Sequence, residues 1–398
     1  MIQGSCAPRA WISGCEPKGA EETALHLVYA IDHLGSGGAQ RQLVELATAL
    51  ARQPDVRVSV LVYRDVDFFR SRLDAAGVPV VRIEKRAKFD PAFPARVARW
   101  LAANAPDLVH AFLLNPALWY GLGVQLLPAR RRPLFVAGER DTKFADHLLH
   151  GLAQRFVYRM SDAVTANSAA AAGAIETRLG IPPSRIHYLP NGIDLAAWDR
   201  AAEDPCPFEL EAGSFHLALV GRLEPQKDHA LLLEALSRIG AERVAGWRVW
   251  CVGAETGGQS FAAAIQADIQ RRGLGAVVRC VPPTKGIAAL FRRLDGLVLP
   301  SRHEGFPNVL LEAMASRLPS IATRVGDVGS MLEDGATGFM LEPRDADGLA
   351  RALVRLHAMS AAERAAMGKR ARAVVEARYR MEQVAEQHLE LYRCLLQS

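Results

Sequence analysis

From Leu25 to the C terminus the chain keeps one rhythm, in which short apolar runs of strand length alternate with longer amphipathic stretches. Strands covered on both faces read as unbroken apolar runs, and parallel neighbours need a crossover of a dozen or more residues between them, so the rhythm predicts parallel sheets with helices on both sides. The runs in the first half are 25–31, 56–63, 78–83, 107–112, 134–137 and 163–167, with helical stretches such as 39–52 and 91–104 between them. A segment rich in Pro, Asp and Glu, 199–213, interrupts the pattern, which resumes at 215–220, 247–252, 276–281, 296–299, 320–323 and 338–341. The chain therefore reads as α/β, two tandem Rossmann-like domains of similar size joined near 195–213. At 398 residues each half is long enough to bury its own core. Ligands of open parallel sheets bind beyond the carboxyl ends of the strands, so two such domains facing each other predict a cleft with one ligand per wall.

Charge is uneven. Lys+Arg total 48 against 43 Asp+Glu, and the excess falls in residues 1–198, with 23 basic against 18 acidic, while 199–398 balance at 25 each. Clusters at Lys85, Arg86 and Lys88, at Arg130, Arg131 and Arg132, and at Arg140, Lys143, Arg155 and Arg159 suit anionic phospholipid headgroups or phosphate-bearing substrates. Nucleic acid is not expected, because neither zinc-finger spacing nor an aromatic-basic RNP string occurs. The uncharged stretch 108–127 is interrupted by His110, Asn115, Pro116 and Gln125, and is read as a buried strand then a helix rather than a membrane span. Residues 1–24 lack an apolar core and carry Pro8, Glu16, Pro17, Glu21 and Glu22, so a loose extension is expected rather than a signal peptide. Six cysteines without a C-x-x-C pair are expected to be reduced thiols in a cytoplasmic protein.

Three motifs follow predicted strands. Gly35-Ser36-Gly37-Gly38-Ala39-Gln40 lacks the third glycine of a dinucleotide fingerprint, yet its glycines permit close backbone approach and a helix N-terminus follows. Gly221-Arg222-Leu223-Glu224-Pro225-Gln226-Lys227 sets two cations five residues apart across a turn, a spacing that grips a diphosphate as readily as it makes surface ion pairs. The third, Ser301 to Met314, has Pro307 suited to a first helical turn, free amides expected around Gly305 to Asn308, and Glu304 and Glu312 a little over two turns apart. His303-Glu304 is not a zinc-protease motif, since position 307 is proline, and His147 and His150 are spaced poorly for a metal.

EGFPNVLLE, with Glu304 and Glu312 separated by seven residues, GGAQRQ at 37–42, PNGID at 190–194 and GRLEPQK at 221–227 together resemble the motifs of family 4 of the retaining glycosyltransferases over about residues 25–395. The resemblance implies the GT-B fold, a nucleotide-diphosphate sugar held mainly by the C-terminal domain, and an acceptor held mainly by the N-terminal one. Taken with the composition, which sets a loose extension at 1–24 and a linker at 196–213, it implies an acceptor-side domain at 25–195, a donor domain at 214–377 and a final helix at 378–398 crossing back. By position, Arg222 and Lys227 would hold the diphosphate, Glu312 the ribose hydroxyls, and Glu304 the transferred sugar as the catalytic carboxylate. The amides of Gly305, Phe306 and Asn308 would add donor contacts, Gly37 and Gly38 would close over the diphosphate, and the base would rest near 281–285. Neither a cofactor nor a metal is called for. Many relatives carry a histidine after the fifth strand, where this chain reads Gly138-Glu139-Arg140-Asp141. His110, Glu139 and Arg140 are the acceptor-side candidates, Arg140 for donor phosphate or an anionic acceptor as against a plain salt bridge, and His110 with a packed core imidazole as its preferred alternative. The expected role is assembly of surface polysaccharide or glycolipid on a saccharide or lipid-linked acceptor, in the cytoplasm or at the inner face of an anionic membrane. A nucleotide-sugar epimerase of the same fold and a non-catalytic sugar-nucleotide binder are the alternatives, the second opposed by the intact Glu304, Arg222 and Lys227.

Overall fold

A computed structural model describes residues 24–140, 148–255 and 261–397, with side chains for all of these except 148–150. Residues 1–23 of the N-terminal extension, Lys143 and His147 lie outside the described residues, as does the His150 side chain. Seven strands form a first, wholly parallel sheet: β1 (Leu25–Ala30), β2 (Val56–Val62), β3 (Val80–Arg82), β4 (Leu108–Phe112), β5 (Leu134–Glu139), β6 (Ala163–Ala166) and β7 (Ile186–Tyr188). Six more form a second: β8 (Phe215–Val220), β9 (Trp247–Val252), β10 (Val278–Val281), β11 (Gly296–Leu299), β12 (Ser320–Thr323) and β13 (Phe339–Leu341). The orders are 3-2-1-4-5-6-7 and 10-9-8-11-12-13, so each sheet reverses direction beside its own first strand.

Every apolar run named above contains a strand, and one strand is additional. β7 is three residues long, sits at the sheet edge and ends in the exposed Tyr188, so it has no apolar run to betray it. The stretch 108–127 is β4 followed by the helix Leu114–Gln125, with the break at Leu113 (φ 73°) rather than at Asn115-Pro116. No helix among the described residues is long and apolar enough to cross a membrane.

The chain passes between the two lobes twice, side by side. At the first passage Ile193 N–H donates to Tyr379 C=O at 2.9 Å, and at the second Met381 N–H donates to Ile193 C=O at 3.0 Å. After the first passage the helix Leu195–Ala201 docks on the second lobe, where Trp198 packs in the core and its Nε1 donates to Ser316 Oγ at 2.8 Å. After the second, the helix Met381–Gln397 returns to the first lobe and buries Met381, Leu389 and Tyr392 beside the helix Gly38–Leu50. The Gln42 amide spans Gly192 in both senses, donating to its C=O at 3.0 Å and accepting from its N–H at 3.1 Å.

Beneath the returning helix the Tyr392 hydroxyl is fully buried and shares hydrogen bonds with Tyr29 Oη at 2.8 Å and His110 Nδ1 at 2.6 Å. A buried polar atom stripped of its partner loses ~1–3 kcal/mol. Tyr392→Phe, which leaves two buried partners unpaired, is expected to lower unfolding stability by about that amount with an unchanged m-value in urea melts. An unaltered midpoint would mean that this hydroxyl fastens nothing.

Candidate active site

Both sheets turn their reversal points toward the same crevice. The loops there follow β1 and β5 on one wall, and β8 and β11 on the other.

On the second lobe's wall, Gly221 passes its backbone beneath the Lys227 stem, and a Cβ at Gly221 would lie 2.8 Å from Lys227 Cε. The ammonium that this brings inward donates to Glu304 Oε1 at 2.7 Å, and Ser301 Oγ donates to the same oxygen at 2.6 Å. Lys227 and Glu304 are nearly enclosed, with side chains 13% and 8% exposed. Arg222 stands in the opening, 60% exposed, 3.0 Å from Glu224. The two loops are stitched together behind these groups. Arg302 grips Asp228 with Nε and Nη2 at 2.8 and 3.0 Å, its N–H donates to Gln226 C=O at 2.8 Å, and Gln226 Nε2 donates to His303 C=O at 2.9 Å.

Pro307 takes the cap position of the helix Asn308–Ala315, immediately ahead of the first helical residue. Among the described residues nothing accepts from the N–H groups of Gly305, Phe306 or Asn308. Free amides at a helix N-terminus carry a partial positive charge, which favours an anion. The Phe306 ring is buried against Tyr379 at 5.5 Å between centroids, so only its backbone faces the crevice. Gly326 (φ 52°) backs the loop so closely that a Cβ there would lie 2.3 Å from both Glu304 and Gly305 carbonyl oxygens.

The first lobe presents Gly37 and Gly38 at the start of the helix Gly38–Leu50. A Cβ at Gly38 would lie 2.9 Å from Asn308 Nδ2, so the glycine loop touches the opposite wall. Polar contacts to three residues of the second lobe bridge the walls. Arg41 Nη1 donates to Glu312 Oε1 at 2.6 Å, Asn191 Nδ2 donates to Asn308 Oδ1 at 2.8 Å, and Asp327 accepts from Ala169 N–H at 2.8 Å and Tyr188 Oη at 2.9 Å. Burial raises the Glu312 and Asp327 carboxyls above their ordinary range, with Arg41 pulling Glu312 back and Tyr188 pulling Asp327 back.

The acceptor-side candidates differ in what the fold does with them. Arg140 Nη1 donates to Asn191 Oδ1 at 2.9 Å and the guanidinium lies 3.9 Å over the Phe112 ring, while Nε and Nη2 are buried and have no partner among the described residues. Burial lowers the Arg140 pKa to about 10, so the guanidinium still carries its charge at neutral pH. Glu139 points inward instead, accepting from Arg140 N–H at 2.9 Å, from Gln154 Nε2 at 3.2 Å and from Tyr158 Oη. His110 does not face the crevice and takes the packed-core alternative. It is fully buried, Nδ1 engages Tyr392, and Nε2 engages Thr165 Oγ1 at 2.9 Å, leaving no nitrogen for a substrate. Burial first, then the neighbouring His388 and Arg140, hold it well below the usual histidine pKa and therefore neutral.

Arg41, Asn191, Ser301, Gly326 and Asp327 were given no role by sequence reasoning. Arg41 and Asn191 lie inside motifs quoted above, GGAQRQ and PNGID, where their helical and cross-lobe positions were not visible. Gly326 and Asp327 follow β12 with no motif to announce them.

Two family models match the chain, Glycosyltransferase Family 4 over residues 36–197 and Glycosyl transferases group 1 over residues 214–359. A D-inositol 3-phosphate glycosyltransferase of Arthrobacter sp. is 31% identical over 197 residues, covering 48% of this chain and 46% of that protein, so this match spans less than half of the relative's length. One of the same name from Mycobacterium bovis is 27% identical over 387 residues, covering 93% of this chain and 78% of the relative. Among solved structures, a glycosyltransferase of Rickettsia africae superimposes with a TM-score of 0.81 at 17% identity, covering 94% of this chain and 99% of that one. Anabaena Alr3699/HepE, solved in complex with UDP, superimposes with a TM-score of 0.78 at 20% identity, covering 93% and 100%. The fold is GT-B. With one model on each lobe, the chain belongs to glycosyltransferase family 4.

Proposed function

We propose that the protein is a retaining, metal-independent transferase that moves a sugar from a nucleotide-diphosphate sugar to an acceptor in surface polysaccharide or glycolipid assembly. The observation that carries this reading is the enclosed Lys227–Glu304 pair beside the free amides of Gly305, Phe306 and Asn308, facing the glycine loop of the other lobe. A cation and oriented amides on one wall suit a diphosphate, and a carboxylate beside them suits the sugar that the diphosphate leaves.

In this arrangement Arg222 and Lys227 neutralise the diphosphate, Gly37 and Gly38 approach it from the first lobe, and Glu312 accepts from the ribose hydroxyls. The bond between the anomeric carbon and the diphosphate breaks with its electron pair leaving on the diphosphate. The acceptor hydroxyl attacks the face so vacated, and its proton passes to the departing diphosphate oxygen. Glu304 stabilises the oxocarbenium-like carbon between the two events. The charge that a divalent ion would otherwise supply comes here from side chains and amides, which supports metal independence. The relatives named above are glycosyltransferases, which does not favour the epimerase alternative.

On the acceptor side, the two unpartnered Arg140 nitrogens support an acceptor bearing a phosphate or carboxylate. The inositol phosphate in the names of the Arthrobacter and Mycobacterium relatives points the same way. Contact with an anionic membrane is supported by the helix Leu148–Met160, which has no acidic residue and exposes Leu152, Arg155, Phe156 and Arg159 along one stripe.

Three outcomes are expected. Glu304→Gln lowers kcat by ~10²-fold or more in a diphosphate-release assay, while calorimetric binding of the nucleoside diphosphate persists. Lys227→Ala weakens that binding by ~10-fold or more, since a hydrogen bond from a charged donor is worth ~1.5–3 kcal/mol. Full turnover in excess EDTA is the third, and its loss with rescue by Mg²⁺ or Mn²⁺ would replace the metal-independent reading.

A further inference from the structure

We infer that Arg41 is a donor-positioning residue, which fixes the Glu312 carboxylate for the ribose and makes nucleotide binding depend on the approach of the two lobes. The inference rests on the reading of Glu312 as the ribose acceptor, and its test separates the two.

Arg41 comes from the first lobe, in the first turn of the helix that the glycine loop opens, and Glu312 comes from the second. The guanidinium is used twice. Nη1 donates to Glu312 Oε1 at 2.6 Å and Nε donates to Glu45 Oε1 at 2.9 Å, so Glu45, one turn along the same helix, holds the arginine outward. The Trp198 ring lies 5.5 Å from the guanidinium carbon and limits its swing from the far side. Arg41 engages Oε1 of Glu312, and among the described residues no hydrogen bond is made to Oε2. One oxygen is thus pinned while the other stays available to a hydroxyl. Pinning one end of a carboxylate sets the direction of the other, which is what an acceptor for a fixed diol requires.

Charge gives Arg41 its second effect. The Glu312 side chain is only 10% exposed, and a buried carboxylate without a cation takes a proton rather than remain charged. The groups that face it are Arg41 and Glu45 from the first lobe and Lys227 from the turn after β8, with Arg72 reaching Glu45 at 3.6 Å. Lys227 is already committed to Glu304, and Glu45 opposes ionisation, so Arg41 is the cation on which the Glu312 charge mainly depends. Burial works against the charge on Arg41 itself, and Glu312 and Glu45 more than restore it, so its pKa is raised. The acceptor for the ribose is therefore complete when the lobes meet.

The test is calorimetric binding of UDP, GDP and ADP to the whole protein at about pH 5.5, 7 and 8.5, for the parent, Arg41→Met, Arg41→Lys and Glu312→Gln. The quantity read is the ratio of variant to parent Kd, which cancels ionisation of the diphosphate. Arg41→Met is expected to weaken the tightest-binding nucleotide by ~10-fold or more at pH 5.5, where loss of the cation favours the protonated Glu312 most, and by less at pH 8.5, with Arg41→Lys restoring most of the loss. Glu312→Gln is expected to be weak at every pH. A ratio for Arg41→Met that does not change with pH, or one at unity throughout, overturns the inference while leaving Glu312 in place. Parent-like binding by Glu312→Gln overturns the ribose reading instead. Arg41→Lys keeps the cation at this position, so the comparison holds if Arg41→Met fails to fold.

Discussion

Two carboxylates are carried into the crevice by one stretch of chain, and each is held beside a cation: Glu304 beside Lys227, and Glu312 beside Arg41. A charge withdrawn from water must be paired and hydrogen-bonded or it is neutralised by a proton, so the rest of the site follows from how these pairs are assembled. The first pair is local to one lobe and is built by two loops after adjacent strands, β8 and β11. The second pair crosses between lobes. A crevice built in this way has one charged centre that stands whether the lobes are apart or together, and one that needs both walls.

Local geometry explains why the first pair is so firmly placed. Gly221 yields the space that the Lys227 stem occupies, Gly326 allows the backbone behind Glu304 and Gly305 to come within contact, and the bidentate Arg302–Asp228 pair ties the two loops at their base. Each removes a freedom that would otherwise let Lys227 or Glu304 relax toward water, so both charges are held in place in advance of any ligand.

Much of this was legible in the sequence, and the reason is the same throughout. The sheets announce themselves because strands buried on both faces must be continuously apolar, and every run predicted as a strand contains one. Only β7, short and at an edge, escaped. The motifs after β1, β8 and β11 were visible because glycine, proline and charge at a strand end break the apolar pattern. What could not be read was anything decided by the meeting of distant segments. Arg41 looks like an exposed helical arginine until Glu312, 271 residues away, is brought to it. His110, at a strand end, is compatible with crevice or core, and the partner that holds its ring in the core, Tyr392, arrives only 282 residues later on the returning helix.

The bridging contacts also set how firmly the two walls are held together. Arg41–Glu312 and Asn191–Asn308 join the walls through residues that the proposed reaction uses or adjoins, and Asp327 joins them through the hydroxyl of Tyr188 and the amide of Ala169. All three are polar, and polar bridges between lobes can exchange with water at little net loss, whereas an apolar seam of the same extent would resist parting. The permanent attachment lies elsewhere, at the paired passages through Ile193 and through Tyr379 to Met381, where backbone bonds and buried side chains from both lobes converge. If the lobes part about that attachment neither core need unfold, and their return restores the Arg41–Glu312 pair together with the contact of the glycine loop. A donor that bridges both walls would therefore be held by the same movement that completes its site.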